Sequence, residues 1–168
     1  LWAIDVGTDQ LAPSLRADAR VTVMEQTNAR EITPAWFPAP LDFAATDVSF
    51  ISVRLILPAI YDCLRSGAQA VVLVKPQFEA GREKVGKKGV VRDPDVHLEV
   101  LENFLTHAKD SGFTVLDITF SPIRGPEGNI EYLGYLESGD WVEKAFDLQR
   151  LVEQSHAALD HGKEGAGC

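Results

Sequence analysis

Asp47, Lys75 and Glu131 each stand at one end of an apolar run, where a purely structural plan has little use for charge. Asp47 lies near the close of residues 43–48 (FAATDV), Lys75 follows residues 69–74 (QAVVLV), and Glu131 sits near the start of residues 130–136 (IEYLGYL). In open α/β sheets, ligands gather outside the carboxyl ends of the parallel strands. Asp47 and Lys75 therefore share one rim if their strands are parallel. Glu131 joins them if its strand runs the other way, because its beginning then lies at that rim. Two carboxylates around an amine make a site that can hold and move a proton. The same pattern also describes solvated side chains at strand ends, which is the ordinary outcome for such positions.

A second set is basic. Between Arg82 and Arg92 the chain places Arg82, Lys84, Lys87, Lys88 and Arg92 against the single acid Glu83. The whole chain carries a net charge of −9, which argues against a broad nucleic-acid surface, since phosphate binding needs clustered Lys and Arg. A local phosphate contact and a plain solvated loop both remain open for this segment. Cys63 and Cys168 make no disulfide framework and have no histidine neighbours at zinc-site spacing, so no metal site is expected.

The elements that must position these residues alternate between short apolar runs and helical patterns, the signature of βαβ units and a mostly parallel sheet. Strands are predicted at residues 1–6, 21–25, 43–48, 69–74, 113–120 and 130–136, the last antiparallel. Helices are predicted after Gly7 through Arg16, over 52–66, from Asp93 to Ser111, and over 139–159. Asp93 followed by Pro94 reads as an N-cap with proline in the first turn, and Gly112 as the stop. Pro34, Pro38 and Pro40 mark a surface loop. The stretch from Gln77 to Asp93 is long for a plain connection and is expected to be mobile. Residues 1–160 are taken as one domain, and 161–168 (HGKEGAGC) as a disordered tail. No apolar run is long enough to span a membrane.

Several strings occur in one family in this order: DVG (5–7) with Gln10 and Leu11, TNAR (27–30), DVSFIS (47–52), LVKPQFEAGRE (73–83), GVVRDP (89–94) and GNIEY (128–132). Together they resemble the TlyA family, also named for hemolysin A, of FtsJ-related RNA ribose 2′-O-methyltransferases. The resemblance implies a Rossmann-like, S-adenosyl-L-methionine-dependent fold and methylation of cytidine 2′-hydroxyls in ribosomal RNA. The family's catalytic set is Lys-Asp-Lys-Glu, and its last three members correspond to Asp47, Lys75 and Glu131. On the cofactor side, Asp5 falls where ribose hydroxyls are bound, Asn28 where adenine is contacted, and Asp47 at the methionine end. A ribose hydroxyl is a poor nucleophile until a base takes its proton, and Lys75 is the expected base. Displacement at a sulfonium is in line and depends mainly on positioning.

The departures from the family are equally specific. Its glycine-rich loop (DVGxSxGG), its first catalytic lysine and a small RNA-binding domain all precede the region matched here. Leu1 opens directly in a strand-like run, so the chain is expected to enter the pattern at the second strand. The first strand is expected to be missing, leaving a defective core, an exposed hydrophobic slot and impaired activity. Ribosomal RNA or a ribosomal subunit is the expected partner, and the cytoplasm the expected location. The competing readings are a cytolysin, as the hemolysin name suggests, and an inactive RNA- or protein-binding remnant. No basic amphipathic helix with aromatic anchors supports the first of these.

Overall fold

A computed structural model describes residues 1–160; the tail expected at 161–168 lies outside the described residues. The central strand is β4 (Leu64–Val74), whose Ala68, Ala70, Val72 and Val74 point into the core at every second position. It pairs in parallel with β3 (Leu41–Thr46) on one side. On the other it pairs antiparallel with β6 (Tyr132–Glu137), in a register that sets Val74 opposite Tyr132. The outer strand β5 (Thr114–Phe120) is antiparallel to β6, giving the order β3-β4-β6-β5. The antiparallel late strand agrees with the expectation, while the alternation pattern by itself pointed only to a mostly parallel sheet.

Against this sheet packs α4 (Pro94–Asp110). Its N-terminus is capped by Asp93, whose side chain accepts the Asp95 N–H at 3.0 Å, and Gly112 ends it at φ +98°. Val100, Leu101, Phe104 and Ala108 form its buried stripe. Phe104 lies so close to Gly134 of β6 that a Cβ there would collide with its ring, so helix and strand need the glycine at this point. The last helix, α5 (Leu148–Asp160), packs beside α4.

A separate two-stranded parallel sheet is made by β1 (Trp2–Ile4) and β2 (Thr22–Met24), with the short α1 (Pro13–Arg16) between them. Between β1 and β3 there is no ladder. An apolar cleft of about 620 Å³ takes its place, lined by Trp2, Ile4, Phe43, Ala45, Ile60 and Cys63 among others. Phe43 is left half exposed as a result.

Two boundaries differ from the sequence reading. The helix predicted over 52–66 is a 3-10 turn (Val53–Leu55) followed by α2 (Leu57–Cys63), and residues 64–68 belong to β4. Pro58 restarts the helix in its first turn. Hydrogen bonds from Gly67 N–H to Ser138 (2.7 Å) and from Ser138 N–H to Ala68 (2.9 Å) then draw the following residues into the sheet. The final helix begins at Leu148 rather than Gly139. The intervening segment is held outside any helix by the Val142 N–H bonded to Thr114 Oγ1 (2.9 Å) and by Lys109 over the Trp141 ring at 4.2 Å. The stretch after β4 contains short regular pieces, α3 (Pro76–Glu79) and a 3-10 turn (Arg82–Lys84). Among the described residues no helix is long and apolar enough to cross a membrane.

Candidate active site

β4 ends because Pro76 cannot donate to a ladder, and this leaves Lys75 at the carboxyl edge of the sheet. The Lys75 side chain is only 9% exposed. A buried ammonium is costly unless it is paired and hydrogen-bonded. Asp47, one residue beyond β3, supplies the pair at 2.6 Å, and Ser49 accepts a hydrogen bond from Nζ at 3.2 Å. The Asp47 side chain is 69% exposed, so the pair has one end in the protein and the other in solvent. Glu79 of α3 fixes the segment that follows: it accepts the Ser52 hydroxyl (2.6 Å) and the Val53 N–H (2.8 Å).

Glu131 precedes β6 by one residue, and continuing the register from Val74 and Tyr132 brings it across from Lys75. It is 6% exposed, and its Oε1 accepts Gln77 Nε2–H at 2.9 Å. The carboxylate lies against Gly125, where a Cβ would overlap it. Asp47, Lys75 and Glu131 thus share one rim of the mixed sheet. Asp47 carries the ion pair to Lys75, and Gln77 holds Glu131.

On the neighbouring sheet, Asp5 follows β1 and caps a turn by accepting the Gly7 N–H at 2.6 Å. Asn28 follows β2, and its Oδ1 accepts the Arg30 N–H at 3.0 Å. Asp5, Asn28 and Asp47 therefore all lie past the carboxyl ends of parallel strands, with Ile4, Ala29, Ile32 and Val48 as apolar wall. Of the three, Asp47 lines the cleft itself; polar groups past the strand ends beside an apolar wall fit a molecule with a polar ribose, a flat purine and an amino-acid tail. Arg82, Lys84, Lys87, Lys88 and Arg92 are all exposed. Lys84 is already engaged by Glu99 at 2.5–2.6 Å. Lys87 and Lys88 sit at the tip of a turn closed by Gly89 N–H to Gly86 (2.8 Å) and Gly86 N–H to Val90 (3.0 Å). Among the described residues no cluster of His, Cys, Asp or Glu is arranged to hold a metal ion.

The sequence reading did not single out Ser49, Phe50, Gln77, Gly125, Asn129 or His97. Phe50 is 91% exposed at φ +63°, with its ring 5.0 Å from that of Phe78. His97 is fully buried between Tyr132 and the Val91 carbonyl, each 2.9 Å from a ring nitrogen. Burial pushes the Tyr132 hydroxyl up to about 12, partly opposed by its hydrogen bond with Ser155, so it remains a neutral donor. The available signal was position: Ser49, Phe50, Gln77 and Asn129 all lie inside the strings quoted above.

The fold is that of the SAM-dependent methyltransferases: one from Methanosarcina mazei superposes with a TM-score of 0.56 at 13% identity, over 83% of this chain and 82% of that one. Within that class the FtsJ-like methyltransferase family matches residues 1–138, and the chain belongs to this family. The 16S/23S rRNA (cytidine-2′-O)-methyltransferase TlyA of Mycobacterium tuberculosis is 40% identical over 160 residues, covering 95% of this chain and 59% of that protein. A solved structure from Streptococcus thermophilus that carries the hemolysin name has 46% identity and a TM-score of 0.91, over 97% of this chain and 60% of that one. The chain spans about three fifths of the length of these relatives.

Proposed function

We propose that the protein transfers a methyl group from S-adenosyl-L-methionine to a ribose 2′-hydroxyl, that of a cytidine in ribosomal RNA, in the cytoplasm. The observation that carries this reading is the buried Lys75 paired with Asp47 on adjacent parallel strand ends, with Glu131 at the start of the strand on the other side. When bound, the cofactor supplies an electrophilic methyl group on a sulfonium. Lys75 acts as the base in its neutral form: it first gives up its own proton along the ion pair to the solvent-open Asp47, and its amine then takes the proton from the attacking hydroxyl. Asp47 holds the amine in place and faces the methionine end of the cofactor. Glu131, held by Gln77 and seated against Gly125, stands at the strand start across from Lys75 and adds a second carboxylate to the rim. Asp5 holds the cofactor ribose and Asn28 the adenine edge.

The substrate side follows from the exposed groups on the same rim. Phe50 presents a bare aromatic face on which an unstacked base can lie, the usual way proteins hold single-stranded RNA. Arg82, Lys84, Lys87, Lys88 and Arg92 meet the flanking phosphates of ribosomal RNA or of a ribosomal subunit, with Lys84 sharing its charge with Glu99. The test is transfer of tritiated methyl from S-adenosyl-L-methionine to ribosomal RNA, followed by alkaline hydrolysis. Label in alkali-resistant dinucleotides containing 2′-O-methylcytidine is the expected result. Label on a base, or in no RNA at all, overturns the reading.

A further inference from the structure

Two buried polar residues flanking Glu131, Asn129 two positions before it and Tyr132 directly after it, are both tied to one short stretch of the basic segment. Asn129 is 2% exposed. Its Oδ1 accepts the Val91 N–H at 3.1 Å, and its Nδ2 donates to the carbonyls of Gly89 (2.9 Å) and Pro126 (3.1 Å). Tyr132 bonds to His97 Nδ1, and His97 Nε2 reaches the Val91 carbonyl. A carbonyl only accepts, so Nε2 carries the proton and, in the neutral ring, Nδ1 accepts the Tyr132 hydroxyl. Val91 therefore has its N–H held from one side of Glu131 and its C=O held, through His97, from the other.

Buried polar groups are ordinarily satisfied, and a single backbone contact from Asn129 would satisfy that rule. The arrangement does more than that. Asn129 grips the chain at two points of a hydrogen-bonded turn whose tip carries Lys87 and Lys88. Gly89 is in the left-handed region at φ +72°, and Gly86 has no space for a Cβ without crowding the Val90 carbonyl at 3.0 Å. The turn is thus prebuilt, and its base is fastened to the residues that bracket the site's carboxylate.

We infer that Asn129 and His97 are positioning residues that join the Lys87–Lys88 turn to Glu131 in one mechanical unit, so that phosphate contact at the turn is felt at the carboxylate. The inference rests on the reading of Glu131 and the basic segment as parts of an RNA-modifying site. It assigns neither residue a contact with substrate.

The test is amide hydrogen exchange on the full chain, with a short single-stranded fragment of ribosomal RNA as the probe. In Asn129→Ala the Val91 amide should exchange at least about a hundredfold faster, while the amides of α4 around Phe104 stay slow. Asn129→Asp keeps the acceptor for Val91 N–H but turns its other oxygen on the Gly89 and Pro126 carbonyls, so it should restore only part of that protection. RNA added to the wild-type chain should slow exchange across residues 129–133, and should fail to do so in Asn129→Ala. A Val91 amide that stays slow in Asn129→Ala overturns the inference. So does equal acceleration of α4, which makes Asn129 a general packing residue. RNA that binds the wild-type chain and leaves residues 129–133 unchanged also overturns it. Failure of the underlying functional reading looks different: the wild-type chain then binds no RNA at all, and the RNA half of the inference falls with it. The fastening of Val91 is still judged by its own exchange.

Discussion

Glu131 rests its carboxylate on the bare backbone of Gly125, with the Gln77 amide closing the other side at 2.9 Å. Adding a single methyl group at position 125 forces the carboxylate off this seat. Gly125→Ala should therefore lower the rate of methyl transfer roughly tenfold or more, at an overpacking cost of about 1–3 kcal/mol in stability. Cofactor affinity should hold, because Asp5, Asn28 and Asp47 lie on other strands. Single-turnover methylation with a parallel thermal melt checks this, and unchanged turnover would sink the role given to Glu131.

Lys75 separates a proton acceptor from a mere positive charge. Lys75→Ala should abolish methyl transfer while sparing cofactor affinity, since its work is done in the transition state. Lys75→Arg should fail almost as badly, because a guanidinium stays protonated and cannot accept the hydroxyl proton. Asp47→Ala should also weaken cofactor binding. Because the variant leaves the buried Lys75 ammonium without its partner, the stability loss should exceed the roughly 1 kcal/mol of an exposed pair. Substantial turnover by Lys75→Arg would leave Lys75 with positioning alone.

At the turn tip, charge reversal should act on binding and not on chemistry. Lys87→Glu with Lys88→Glu should weaken RNA affinity and make the dependence of log affinity on log salt shallower by about two. Phe50→Ala should cost about 1–3 kcal/mol of RNA affinity with the salt slope unchanged. Filter binding across a salt series distinguishes the two effects, and identical slopes for all variants would remove the phosphate role of the turn.

His97 gives the fold a pH dependence of known sign. Burial lowers its pKa, with nearby His156 adding to the effect and the Val91 carbonyl and Asp93 opposing it. A lowered folded value means that the unfolded chain binds the proton more readily. The stability His97 contributes is complete above its unfolded value of about 6.5 and drains away as pH falls below that toward the lowered folded value. His97→Gln should melt with a flatter pH profile than wild type between about pH 7 and about pH 5. Parallel profiles for the two proteins would count against it.

Much of the framework was legible because its signals are local. Asp93, Pro94 and Gly112 mark α4 almost to the residue, and the unbroken apolar run of 69–74 marks the core of β4. Asp47, Lys75 and Glu131 were legible as charges misplaced on apolar strands. The errors fall where distant pairing decides. Arg65 and Ser66 read as the end of a helix, yet Ser138, some seventy positions on, recruits them and Gly67 to the sheet. Gly125 carries no such local signal, because nothing nearby in sequence announces the carboxylate that folds back onto it. Gln77 and Asn129 likewise acquire a purpose only once loops separated by dozens of residues meet.

The cleft between β1 and β3 bears on how the protein behaves in the tube. Among the described residues each of these strands is laddered on one side only, so two rows of backbone donors and acceptors face each other over apolar walls. Such edges are templates for any extended segment that arrives, and in a concentrated stock the nearest one belongs to another molecule. Colloidal stability, rather than the melting temperature of the folded core, then sets the working limit for this chain. Light scattering should rise with protein concentration well below the temperature at which α4 and the four-stranded sheet come apart.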